Sequence, residues 1–147
     1  MSGVENKLPY WERKLAEYVG SLEAEPFAWG KLDCAIFAYR CLVVQFGSSR
    51  IPPFAGRYKT AKGAAATLKK QFGVSDLASA VSKYLDEIAP KLMQRGDIVS
   101  IDPAHHAGGG IGASLGVCMG ARCAVITLGG VAYIKASHVE RAWRAAG

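Results

Sequence analysis

Residues 33–46 read Asp-Cys-Ala-Ile-Phe-Ala-Tyr-Arg-Cys-Leu-Val-Val-Gln-Phe, and they constrain the fold more than any other stretch. At a helical period of about 3.6 residues, Ala35, Ile36, Phe37, Ala38, Cys41, Leu42, Val43, Val44 and Phe46 wrap nearly every face. A helix apolar all round has no side for water, so it runs through the middle of a domain. Arg40 and Gln45 interrupt it, and it is too short to cross a bilayer. The rest of the chain must therefore supply its cover.

That cover divides into a helical first half and a stranded second half. Trp11, Leu15, Tyr18 and Leu22 form one stripe over residues 8–22, with Pro9 suited to the first turn. Thr60 caps an alanine-rich helix to about Phe72, with Leu68 and Phe72 inward, and Gly73 stops it. Ser75 is positioned to cap a short fourth helix carrying Leu77 and Val81. Beyond Tyr84 the pattern changes from helical to alternating. Residues 98–101, 115–119, 124–128 and 131–134 read as strands, the last three joined by Gly120-Ala121 and Gly129-Gly130 into an antiparallel meander. Residues 139–144 suggest an edge strand. Helices first and strands later predict an α+β fold, with N-terminal helices on a mainly antiparallel sheet of about five strands. The 147 residues suit one domain with one core, over 1–147.

Composition narrows the chemistry. Half the residues are hydrophobic and 20% charged, ordinary globular values. The N-terminus lacks the basic start and apolar run of a signal peptide, which predicts synthesis in the cytoplasm without a membrane span. The four cysteines show no C-x-x-C spacing, so neither a metal nor another cofactor is expected. A Cys118–Cys123 bond across the second-half hairpin is geometrically imaginable, but a reducing compartment argues against it. The net charge is +6, yet the longest basic run is Lys69-Lys70, which fits a solvated surface better than a nucleic-acid site. Gly108-Gly109-Gly110 lacks the Gly-Lys-Ser/Thr of a phosphate loop.

Cys34 is the residue with chemical potential. A thiol in the first turn of a helix meets the positive end of the helix dipole, which favours the thiolate. Nucleophilic catalysis then needs a histidine within hydrogen-bond reach and a third group to orient it. The chain has three histidines: His105 and His106 in a Gly-rich stretch, and His138 after the last meander strand.

The segment Trp29-Gly30-Lys31-Leu32-Asp33-Cys34-Ala35-Ile36-Phe37 resembles the nucleophile motif of NlpC-type peptidases, papain-like enzymes that cut bacterial cell-wall peptides. Arg95-Gly96-Asp97-Ile98-Val99 is similar to that family's strand entry, and Ser114-Leu115-Gly116-Val117-Cys118-Met119-Gly120 to its His-Val-Gly-Ile-Tyr-Ile-Gly strand. With Gly56-Arg57-Tyr58, Thr60 and the terminal Ala142-Trp143-Arg144, the ordered set resembles a phage and prophage, tail-associated branch.

The resemblance implies a papain-like, NlpC-type fold with Cys34 as nucleophile or vestige. It puts Ser114 at the base histidine's position and Lys135 at the third polar position, so two of three catalytic roles go unfilled. Two functions follow. One is a structural or assembly protein of a phage tail tip or baseplate, on a degenerate peptidase fold. It would be made in the bacterial cytoplasm, carried in the virion and bound to other tail proteins. The other is an active cysteine peptidase or amidase acting on peptidoglycan during phage entry, with His105 or His106 as substitute base and backbone N–H groups holding the oxyanion.

Overall fold

The computed structural model describes residues 7–53, 56–101, 114–127 and 129–147. Four α-helices come first: α1 (Trp11–Ser21), α2 (Cys34–Phe46), α3 (Ala61–Phe72) and α4 (Leu77–Ser82). The strands follow: β1 (Glu87–Ile88), β2 (Ile98–Ile101), β3 (Ser114–Cys118), β4 (Arg122–Thr127), β5 (Gly130–Lys135) and β6 (Val139–Trp143). All described pairings are antiparallel, in the order β1-β6-β2-β3-β4-β5. The α+β order and the β3-β4-β5 meander are as the alternation predicts.

Four local expectations are corrected. Among the described residues the sheet has six strands rather than five, because β1 is a two-residue pairing with β6 and has no alternation to detect. For the same reason residues 139–143 lie inside the sheet, between β1 and β2, and not at its edge. Asp76, not Ser75, caps α4, its carboxylate accepting from Ser79 N–H at 2.8 Å. Finally, α1 begins at Trp11 behind a left-handed Tyr10, which leaves Pro9 outside it.

The sheet cannot be flat. β5 ends at Lys135 and β6 starts at Val139, joined by a single 3₁₀ turn, Ala136–His138. Four inter-strand steps separate β5 from β6, about 19 Å in a flat sheet. Four residue steps reach at most about 14 Å when extended and less in a 3₁₀ turn. The sheet therefore curls until its far strands approach. Its concave face is one cluster, Val99, Ile101, Cys118, Cys123, Val125, Val139 and Ala142, with Ala132 and Ile134 of β5 packed against it.

The convex face carries the helices. Ile98, Leu115 and Trp143 pack with Cys34, Ala35, Ile36 and Leu42 of α2, and with α3 and α4. Val117, Ala124 and Ile126 pack with Phe37 and Cys41 of α2 and with Leu15 and Val19 of α1. The central helix is thus covered by sheet on one side and by helices beside it, while Tyr39, Arg40, Val43, Val44 and Phe46 stay half-buried, so one side meets water where the all-round apolar pattern predicted none.

The Arg95-Gly96-Asp97 segment ties these layers together. Gly96, at φ +97°, lets the Gln45 amide of α2 come close and donate to its carbonyl at 2.9 Å. Buried Asp97 accepts from Gln94 N–H, from Ala145 N–H and from the Arg144 guanidinium at 2.8–2.9 Å, which fastens the C-terminus over the entry to β2.

Candidate functional site

Asp33 builds the start of α2. Its Oδ1 accepts from Ala35 N–H at 3.1 Å and Ile36 N–H at 3.0 Å, the N-cap geometry. Its Oδ2 accepts from Gly30 N–H at 3.0 Å and from the Tyr58 hydroxyl at 2.7 Å. The carboxylate is 1% exposed, so these four donors replace its water. Gly30 is required: its φ is +76°, and a β-carbon there would collide with the Tyr58 carbonyl. Trp29 packs edge-on against Phe27 and Tyr58 beside it. The Trp-Gly and Asp-Cys pairs thus have a structural account: one admits the Tyr58 segment, the other caps the helix.

Cys34 is the first residue of α2 and is 1% exposed. Burial pushes its thiol up to about 12, helped by the Asp33 carboxylate and opposed by backbone hydrogen bonds of Leu115, Cys34 and Ala35. The helix dipole therefore loses to desolvation. A terminal dipole contributes about 0.3–1 kcal/mol, less than one pKa unit, whereas full burial shifts a group by up to about 3–5 units. The expectation of an activated thiolate is overturned for this closed structure: the thiol is neutral.

β3 starts against Cys34, but the resemblance's alignment and the sheet's geometry disagree on which side chain faces it. Ser114 pairs with Ile101, and Ile101 belongs to the concave core. Leu115 and Val117 point to the helices, so the β3 side chain on the Cys34 side is Leu115. Ser114 is buried on the other face, its hydroxyl without a partner among the described residues. A phase error of one residue exchanges the two faces of a strand.

Lys135 is also misplaced for a catalytic role. It is the exposed last residue of β5, opposite Arg122, with β4 between it and β3. Antiparallel β4 returns the chain to the Ser114 end and β5 carries it away again, so Lys135 finishes level with Arg122, at the end of the sheet opposite to Ser114. His105 and His106 lie outside the described residues. His138 ends the 3₁₀ turn between β5 and β6. Among the described residues no group of three or more His, Cys, Asp or Glu is placed to hold a metal ion, and no helix is long and apolar enough to cross a membrane.

Two residues of the site stand in segments that carry the resemblance, but sequence reasoning gave neither a role. Tyr58, the phenol that completes the Asp33 cluster, sits 25 positions downstream and carries no spacing signal. Burial and the neighbouring carboxylate push its hydroxyl up, so it remains a donor. Leu115 was hidden because β3 is buried on both faces. An apolar pocket adjoins it, lined by Ala35, Ile51, Leu77, Val81 and Tyr84. Ile51 is 4% exposed there and so serves the chain's own core.

The profile of one protein family, described as a domain of unknown function (DUF6950), matches residues 6–145. The chain belongs to that family. The match runs from before α1 to beyond β6, so the Asp33 cluster, the curled sheet and the C-terminal Asp97 clasp all fall inside the DUF6950 unit. No curated protein and no solved structure matches the chain.

Proposed function

We propose that this DUF6950 chain is a non-hydrolytic structural or assembly component of a phage tail tip or baseplate, built on a papain-like, NlpC-type scaffold. The observation that carries the non-hydrolytic part is the state of Cys34. Its thiol is sealed and protonated, and the adjoining strand offers it Leu115 where a hydrolase needs a base. The scaffold part is supported by a cysteine heading a central helix that packs on an antiparallel sheet, with the Trp-Gly, Asp-Cys and Arg-Gly-Asp segments each given structural work. The tail assignment rests on the sequence resemblance to tail-associated proteins. In this reading the Asp33 cluster is kept because it folds the domain, and the partners are other tail proteins.

The test is the protein composition of purified particles from cells carrying the gene. The chain is expected to sediment with intact tails at a fixed ratio to the other tail proteins. Its absence from particles, or release of soluble peptides from purified peptidoglycan by the isolated chain, overturns the proposal.

A further inference from the structure

Cys118 and Cys123 are direct partners across the β3–β4 hairpin. Cys118 spends both backbone groups on the other neighbour: its N–H donates to the Asp97 carbonyl at 2.8 Å, and its carbonyl accepts from Gly96 N–H at 2.7 Å. Toward β4 it is therefore a non-hydrogen-bonded pair, and the adjacent Met119 N–H to Arg122 carbonyl bond, at 2.8 Å, closes the hairpin. Such pairs bring the Cα atoms to about 4.5 Å with both side chains on one face. A disulfide accepts Cα separations of about 4.4–6.8 Å.

Both side chains lie in the concave core, and the Cys118 thiol donates to the Gly120 carbonyl at 3.5 Å. The neighbouring Cys123 side chain brings the Cys118 thiol down to about 7, aided by the Gly120 backbone and the Arg95 guanidinium against burial and Asp97. Cys118 and burial push the Cys123 thiol up, so Cys118 is the sulfur of the pair that gives up its proton first. Both thiols are buried, Cys118 at 1% and Cys123 at 0% exposure, but the turn residues Gly120, Ala121 and Arg122 between them are exposed, so an oxidant reaches the pair as this turn opens. Cys34 and Cys41 have no such relation, since they face different core clusters from one helix.

We propose that Cys118 and Cys123 form an oxidisable cross-strand dithiol, which a hydroperoxide converts into a disulfide that staples the β3–β4 hairpin. The Cys118 thiolate attacks the terminal peroxide oxygen. The O–O bond breaks, the other oxygen leaves as an alcohol or water after taking a proton, and Cys118 becomes a sulfenic acid. The Cys123 sulfur then loses its proton and attacks the Cys118 sulfur. The S–O bond breaks and the hydroxide leaves as water. Two thiol hydrogens and two electrons have reduced one peroxide, and one S–S bond has formed.

The experiment treats the native chain with a small excess of hydrogen peroxide, alkylates what remains, and measures whole-chain and tryptic masses. Cleavage after Arg122 puts the two cysteines on different peptides. The expected result is a chain lighter by two hydrogens, with those two peptides linked and the link reversed by dithiothreitol. Cys34→Ala and Cys41→Ala leave this unchanged, and Cys123→Ala stops at a sulfenic acid on Cys118 that dimedone traps. No link in the wild-type chain, a link through Cys34 or Cys41, or a link between chains overturns the proposal. The wild-type measurement decides even where a variant folds poorly.

Discussion

Replacing Asp33 by alanine tests how the site is built. The carboxylate serves two donors of α2 and two from outside it, Gly30 N–H and the Tyr58 hydroxyl. Loss of an N-cap costs about 1 kcal/mol. Each buried donor left without an acceptor costs about 1–3 kcal/mol. Asp33→Ala should therefore cost about 3–7 kcal/mol, a large share of the ~5–15 kcal/mol that holds a domain folded. Tyr58→Phe removes one donor and leaves the carboxylate three backbone N–H groups, so about 1.5–3 kcal/mol is expected for a bond to a charged acceptor. In the Asp33→Ala background the same Tyr58→Phe change should cost almost nothing, because its partner is already gone. Urea unfolding followed by tryptophan fluorescence reads all three, with exposed Asp86→Ala as the control. Should Asp33→Ala cost no more than Asp86→Ala, the reasoning is refuted.

Three further outcomes follow from the same geometry. The Cys34 thiol is raised from 9 to about 12 in the folded chain, so the unfolded chain gives up its proton first and stability falls as pH rises from about 9 toward 12. Cys34→Ala should flatten that limb by up to about 1.4 kcal/mol per pH unit, read from urea midpoints at a series of alkaline pH values. Gly30→Ala should unfold the Tyr58 contact and lower the melting temperature by more than the exposed control Gly73→Ala, although both glycines have positive φ, because only Gly30 is met by a backbone carbonyl. Ser114→His should leave the isolated chain inert toward peptidoglycan and destabilise it, since the imidazole enters the concave core; hydrolysis by this variant would place residue 114 beside Cys34 after all.

The central helix was legible because an apolar surface on every side admits one environment. Thr60 and Gly73 were legible as the ends of α3 because caps act locally, and both perform as their chemistry predicts. The meander followed from its Gly-rich turns, although Gly130, read as part of the second turn, belongs to β5 and pairs with Thr127. What sequence could not supply was phase and partnership. In β3 every residue is buried, so alternation marks a strand without saying which side meets α2, and Ser114 exchanges places with Leu115. β1 gains its pairing from β6 rather than from its own two residues. The dipole argument for Cys34 was sound in sign, but the depth of burial that outweighs it is a property of the assembled core. Tyr58 reaches Asp33 only because Gly30 opens a path for its backbone.

The most direct test of a scaffold without a working nucleophile is the rate at which iodoacetamide alkylates Cys34 in the native chain at neutral pH, read by peptide mass. A sealed thiol raised to about 12 should stay unlabelled while a short Cys34-containing peptide is consumed, and should react only as fast as the chain opens. Rapid labelling of Cys34 in the folded chain, already saturated below pH 7, would contradict the account and point to a live thiolate.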